Sequence, residues 1–196
     1  MERELYLVRH GRTMFNEKGI IQGWCDSPLT EIGKNQAQHV GSYFKAQGVE
    51  FDAAYASPTG RTRETIECIT SMPYTCDAGL RELFFGTFEG EHETVLVKPF
   101  TDEMFVPFGG ESLSQLMERM NDTLFKIMAR EGHGCVLVVS HGTASEMFLR
   151  KWEAFKSCDF TGMPGNCSVM RFTFDGTSFS LKDVLTQDDL VFFSCD

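Results

Sequence analysis

Two stretches of the chain end in the same way. Residues 5–8 (LYLV) run into Arg9, His10 and Gly11, and residues 136–139 (VLVV) run into Ser140, His141 and Gly142. Each reads as a buried strand delivering an imidazole at its carboxyl end, with a glycine that lets backbone approach whatever sits there. In open α/β sheets ligands gather at that edge, so both rings are expected at one site. A single histidine of this kind is more commonly a satisfied core residue; the matched pair favours chemistry. Arg9 follows four core residues, where a guanidinium is hard to bury without an anionic partner. Arg61 falls in the first turn of a helix, where a cation opposes the macrodipole. Its plainer reading is an exposed partner of Glu64. Brought to one edge, two arginines, a helix amino end and two imidazoles make a cradle for a tetrahedral oxyanion, phosphate or sulfate.

The elements that must carry these residues alternate along the chain. After the strand at 5–8, a helix opens at Thr30, with Gly33, Ala37, Val40, Gly41 and Phe44 at helical spacing and Gly48 as its stop. Residues 51–56 read as a strand, and Ser57-Pro58 opens a helix that runs to Ile69. A short strand-like piece lies between Pro73 and Gly79, and 80–90 fits neither pattern. Residues 111–130 form a strong helix whose apolar stripe includes Leu113, Leu116, Met120, Leu124 and Ile127. A strand at 135–139 and a helix at 143–152 follow. Strands at 169–174 and 179–184 flank the hairpin signal Asp175-Gly176. The alternation predicts an α/β fold: a three-layer αβα sandwich with a mostly parallel central sheet, in one domain spanning 1–196. Residues 91–110 resist assignment. With Pro99, Pro107, Gly109, Gly110 and three phenylalanines they suit a short irregular lid over the site, with an apolar-walled entrance; a loop tucked onto the core is the plainer alternative.

Composition narrows the possibilities. Of 196 residues 42% are apolar and 23% charged, the profile of an ordinary globule. The apolar runs are too short to span a bilayer, and the start lacks a secretory pattern, so neither membrane insertion nor export is expected. A net charge of −10 speaks against general nucleic-acid binding. An anion can still be held, but only by a local cluster of cations. Seven cysteines, odd in number and without a CxxC pair, suit small buried hydrophobes in a reducing cytoplasm better than disulfides or zinc. Cys195, followed by one residue, is not expected to serve as a prenylation site.

Longer stretches carry a resemblance. RHGRTMFN at 9–16, IQGWCDSPLTEIG at 21–33, ASPTGRTRETIE at 56–67, LRELFFGTFEG at 80–90, GGESL at 109–113, VLVVSHGT at 136–143 and GNCSV at 165–169 are similar, in order, to the blocks of the histidine phosphatases. That superfamily includes cofactor-dependent phosphoglycerate mutase. The resemblance implies that His10 is the nucleophile that becomes phosphohistidine and that Glu82 donates a proton to the leaving oxygen. It implies a phosphate pocket of Arg9, Arg61 and His141, with Asn16 and Gln22 adding hydrogen bonds. Thr13 and the Thr143 amide are further candidate contacts, and Glu89 reads as structural. Arg12 and Thr143 depart from the common pattern, which more often has an acidic or neutral residue and a glycine there. His39 and His133 are expected at the surface, and His92 in solvent beside the lid.

The chemistry is coherent. An attacking imidazole must be neutral, and neighbouring guanidinium groups disfavour its protonated form. The same charges stabilise the phosphoryl oxygens, and a carboxylic acid can protonate the departing alkoxide. Neither a metal nor a cofactor is needed. The expected function is a phosphatase for small phosphorylated metabolites. The mutases usually carry a longer insertion after the acid-bearing segment, whereas 27 residues separate Glu82 from Gly110 here. Phosphoglycerate mutase is the first alternative; a non-catalytic phospho-ligand-binding protein is the second. Oligomeric state is not legible.

Overall fold

A computed structural model describes residues 2–193. Its centre is β1 (Arg3–Arg9), flanked by β4 (Cys135–Ser140) and β5 (Val169–Phe174). With β2 (Ala53–Ala56), β3 (Thr75–Cys76) and β6 (Phe179–Leu185) they form one six-stranded sheet in the order β3-β2-β4-β1-β5-β6. The β3, β2, β4 and β1 pairings are parallel, while β5 and β6 run antiparallel at one side.

Alternate side chains of a strand face opposite layers. Leu5 and Leu7 therefore join one core and Tyr6 and Val8 the other. The first core receives α4 (Leu113–Met128) and α5 (Gly142–Lys151); the second receives α2 (Glu31–Ala46) and α3 (Gly60–Ile69). Burial on both faces is why β1 and β4 are continuous apolar runs. The result is the three-layer αβα arrangement with a mostly parallel sheet.

Helix starts are written in the side chains. Thr30 caps α2 by accepting from the Gly33 amide at 3.1 Å, and Ser112 with Gln115 makes a reciprocal capping box on α4. A five-residue helix, α1 (Met14–Lys18), begins with a similar box between Thr13 and Asn16, and α6 (Gln187–Leu190) closes the series. Neither short helix was visible as a periodic pattern. The strand expected from 51 begins only at Ala53, and the helix expected from Ser57 begins at Gly60. The segment 80–90 is no strand: 3₁₀ turns at Ala78–Leu80 and Gly86–Phe88 bracket an irregular stretch that carries Glu82.

Residues 91–110 fold into two 3₁₀ turns, Glu93–Val95 and Val106–Phe108, around a buried Phe105. Phe105 packs edge-on against Phe85 and Phe100, with ring centroids 4.9 and 5.1 Å away, while Val97 remains 74% exposed. The six described cysteines are free thiols. Only Cys167 is fully buried; the expectation of uniformly buried cysteines fails because Cys76, for one, lies exposed on the short edge strand β3. Cys195 lies outside the described residues. Among the described residues no helix is long and apolar enough to cross a membrane.

Candidate active site

The site begins with register. Val8 pairs with Val139 and Arg9 with Ser140, so the two strands release His10 and His141 side by side. Their rings lie 5.4 Å apart between centroids. Nδ1 of His10 is 2.8 Å from the Gly11 carbonyl. A carbonyl can only accept, so Nδ1 carries the proton and the lone pair is on Nε2. Burial first, then the charges of Arg61 and Arg9, hold this imidazole neutral far below the ordinary histidine value.

The two guanidinium groups are placed differently. Arg9 is half-buried and donates from Nη1 to the Pro164 carbonyl at 2.7 Å. Arg61 is 0% exposed, the most deeply enclosed charge at the site. Its Nη1 donates to the Cys25 carbonyl at 2.9 Å and to Asp26 Oδ1 at 3.0 Å; its Nη2 donates to the Gly23 carbonyl at 2.7 Å. Nη2 also lies 2.9 Å from Nδ1 of His141. The exposed Arg61–Glu64 pair weighed from the sequence does not form. Glu64 instead accepts from the Leu29 amide at 3.2 Å. The other oxygen of Asp26 accepts from the Gly60 amide at the start of α3, so one carboxylate answers both the macrodipole and the arginine. The Nε atoms of Arg9 and Arg61 are buried without a partner. Orphaned charged donors of this kind call for an acceptor.

His141 is fully buried, with Nε2 2.7 Å from Ser57 Oγ. Its pKa is pushed far down by burial and by Arg61. Glu82 is buried against the first turn of α5, where its carboxyl accepts from the amides of Leu83 (2.9 Å), Thr143 (2.9 Å) and Ala144 (2.8 Å). Burial raises its pKa above the usual carboxylate range, and the three amides oppose that rise. Such a carboxyl can hold a proton longer than an exposed one.

A cavity of about 130 Å³ is lined by Arg9, His10, Asn16, Gln22, Glu82 and Thr143, with Leu96, Lys98 and Phe100 supplied by the 91–110 segment. That segment therefore contributes part of the wall around His10 and Glu82. Arg61 and His141 do not line this cavity; they stand behind it, their nitrogens turned largely toward protein. Asn16 Oδ1 accepts from the Thr13 amide at 3.1 Å, and Gln22 Oε1 accepts from Thr13 Oγ1 at 3.2 Å, so Thr13 orients both amides from a buried position. Glu89 accepts from the amides of Trp24, Cys25 and Phe85, a purely internal set of partners. His92 is exposed, while His39 and His133 are half-buried rather than at the surface; His133 donates to the Ile127 carbonyl at 2.8 Å.

Three positioning residues were missed by sequence reasoning. Asp26 and Ser57 hold Arg61 and His141, and Asn166 Nδ2 donates to the His10 carbonyl at 3.0 Å and to Asn16 Oδ1 at 3.3 Å. Each lies within a motif block, which is the signal that was available. Among the described residues no group of three or more His, Cys, Asp or Glu side chains is arranged to hold a metal ion.

Chemically, the arrangement offers a neutral imidazole with a free Nε2, buried cationic N–H donors, and a carboxyl able to carry a proton. It can accept a phosphoryl group on nitrogen and deliver a proton to the oxygen that leaves. Residues 5–186 match the histidine phosphatase superfamily (branch 1). A 2,3-bisphosphoglycerate-dependent phosphoglycerate mutase of Nitrobacter winogradskyi is 32% identical over 163 residues, covering 73% of this chain and 77% of that protein. A broad-specificity phosphatase of Saccharomyces cerevisiae is 28% identical over 195 residues, covering 92% of this chain and 84% of that one. The crystal structure of a phosphoglycerate mutase from Bacillus anthracis superposes with a TM-score of 0.82 at 26% identity, over 98% of this chain and 96% of that one. With the match spanning both histidine-bearing strands, the chain belongs to the histidine phosphatase superfamily.

Proposed function

We propose that the protein is a phosphomonoester hydrolase acting on small phosphorylated metabolites in the cytoplasm, without metal or cofactor. One observation carries the reading: His10, with its proton fixed on Nδ1, faces the same small cavity as the buried carboxyl of Glu82. Nε2 of His10 attacks phosphorus as the ester P–O bond breaks, and Glu82 gives its proton to the departing oxygen. Glu82, now a carboxylate, takes a proton from water as that water attacks phosphohistidine, and phosphate is released. The unpartnered Nε–H of Arg9 meets a phosphoryl oxygen, with Asn16 and Gln22 as neutral donors, while the charge of Arg61 acts on the same oxygens from behind the cavity wall. His141 keeps Arg61 in place from behind.

A mutase would return the phosphoryl group to another hydroxyl of the same substrate. The names of relatives such as the Nitrobacter protein favour that second reading. The short segment between Glu82 and Gly110 favours water as acceptor, since little chain is available to exclude it. The test is a rapid-quench assay with phosphate esters, including phosphoglycerates with and without the bisphosphorylated cofactor. Free phosphate and an acid-labile phosphoprotein are expected, both lost by at least about 10³-fold in His10→Ala. Isomerised phosphoglycerate without free phosphate would establish the mutase. Neither product from any ester would leave only a non-catalytic binding role.

A further inference from the structure

A second cavity of about 470 Å³ adjoins the one that holds His10. The two share Lys98, Phe100, Thr143 and Met163 as walls, so they lie side by side. The larger space is floored by the buried Leu113 and Met147 and walled by Pro99, Phe100 and Met163. Along α5 it follows Thr143, Glu146, Met147 and Arg150, residues spaced to share one helical face. The seven residue steps from Thr143 to Arg150 give this face a length of about 10 Å, measured outward from the amide that holds Glu82.

The charges in this groove are mostly spent. Arg150 pairs with Glu146 at 2.6 Å, leaving Lys98, at the junction of the two cavities, as the cation without an ion pair among the described residues of the groove. A compact polyanion such as a phosphoglycerate would set its carboxylate against proline, phenylalanine and methionine. A cation-poor, apolar trough beside the place where the ester oxygen leaves is suited to an apolar body on that oxygen.

Resting on the phosphatase reading above, we infer that this groove is the leaving-group subsite and that the preferred substrates are monophosphates of alcohols with an extended apolar body. Water in the groove is displaced by that body while the phosphoryl group sits at His10. Phe100, Met147 and Met163 thereby set specificity without touching the reacting atoms.

The test is a series of linear alkyl phosphates from ethyl to hexyl, in which the leaving ability of the alkoxide barely changes. On the intact protein kcat/KM should rise about fourfold per added methylene, as expected for burial of each group. Met163→Asp, at a half-exposed position, should lower the hexyl-to-ethyl ratio at least tenfold, whereas Met163→Leu should preserve it. Phosphate release that is robust yet flat along the series overturns the subsite and leaves the phosphatase reading standing. Absence of release from every ester, with isomerisation of phosphoglycerate, overturns that reading and this inference with it.

Discussion

Nη2 of Arg61 lies 2.9 Å from Nδ1 of His141, and Nε2 of the same ring lies 2.7 Å from Ser57 Oγ. An arginine in a protein stays protonated, so Nδ1 must accept and Nε2 must carry the hydrogen. His141 is thereby fixed as one neutral tautomer. A second proton would set an imidazolium directly against a guanidinium that has no exposed surface.

Ser57→Ala removes the acceptor for a buried N–H. The variant should lose about 1–3 kcal/mol of stability, the usual cost of an unsatisfied buried donor, read from urea midpoints. Turnover should fall as well, because the ring that steadies Arg61 is no longer fixed. Unchanged midpoint and rate would show that the Ser57 contact does not hold the ring.

Stability should fall as pH drops below the ordinary histidine range. His10 and His141 both have folded values pushed well below 6.5. In that window the unfolded chain binds protons that the folded chain refuses, so acid favours unfolding. Glu82 opposes this: its folded value is raised above 4.5, so its contribution is full below 4.5 and is lost as pH rises through the raised value. Two histidines against one carboxyl leave the net slope positive. Urea midpoints measured between about pH 5 and 8 should increase with pH, and less steeply in His141→Asn.

Activity needs His10 unprotonated and Glu82 protonated. The depressed histidine sets the acid limb and the raised carboxyl the alkaline limb, so kcat/KM should decline as pH rises through the Glu82 value. Glu82→Gln should slow alkyl phosphates by about 10²–10⁴-fold and aryl phosphates with good leaving groups much less. Equal losses for both would remove Glu82 as the acid.

Gly33→Ala should destabilise the fold by about 1–3 kcal/mol through overpacking. A Cβ there would lie 2.1 Å from the Arg12 carbonyl oxygen, and one at Gly11 would lie 2.4 Å from the Gly33 carbonyl oxygen. Those backbones are further joined by the Thr30 amide donating to the Arg12 carbonyl at 2.9 Å. Thermal unfolding would register the loss, and an unaltered melting temperature would mean the helix can back away freely.

What could be read from the chain was the part governed by periodicity. The runs ending at His10 and His141 announced parallel strands, because burial on both faces leaves no room for alternation, and the stripe from Leu113 to Ile127 announced α4. Arg61 was expected beside the two histidines, but its posture was not legible. Its carboxylate partner, Asp26, lies in a loop 35 residues away, where no repeat links the two. Ser57 and Asn166 were hidden for the same reason: a polar loop residue looks alike whether it meets solvent or a ring nitrogen. The 80–90 segment resisted because its backbone is held by carboxylates and 3₁₀ turns rather than by a regular ladder.

The three amides gathered by Glu89 tie two loops into one knot. One of those loops sends the Trp24 indole to the Glu82 carbonyl at 3.0 Å, while Arg81 stacks over the same indole, 4.6 Å from its centre. A random-mutagenesis screen for inactive clones should therefore return Glu89 and Trp24 beside the histidines. Their signature would be a misaimed acid, with slow alkyl ester turnover and preserved vanadate affinity.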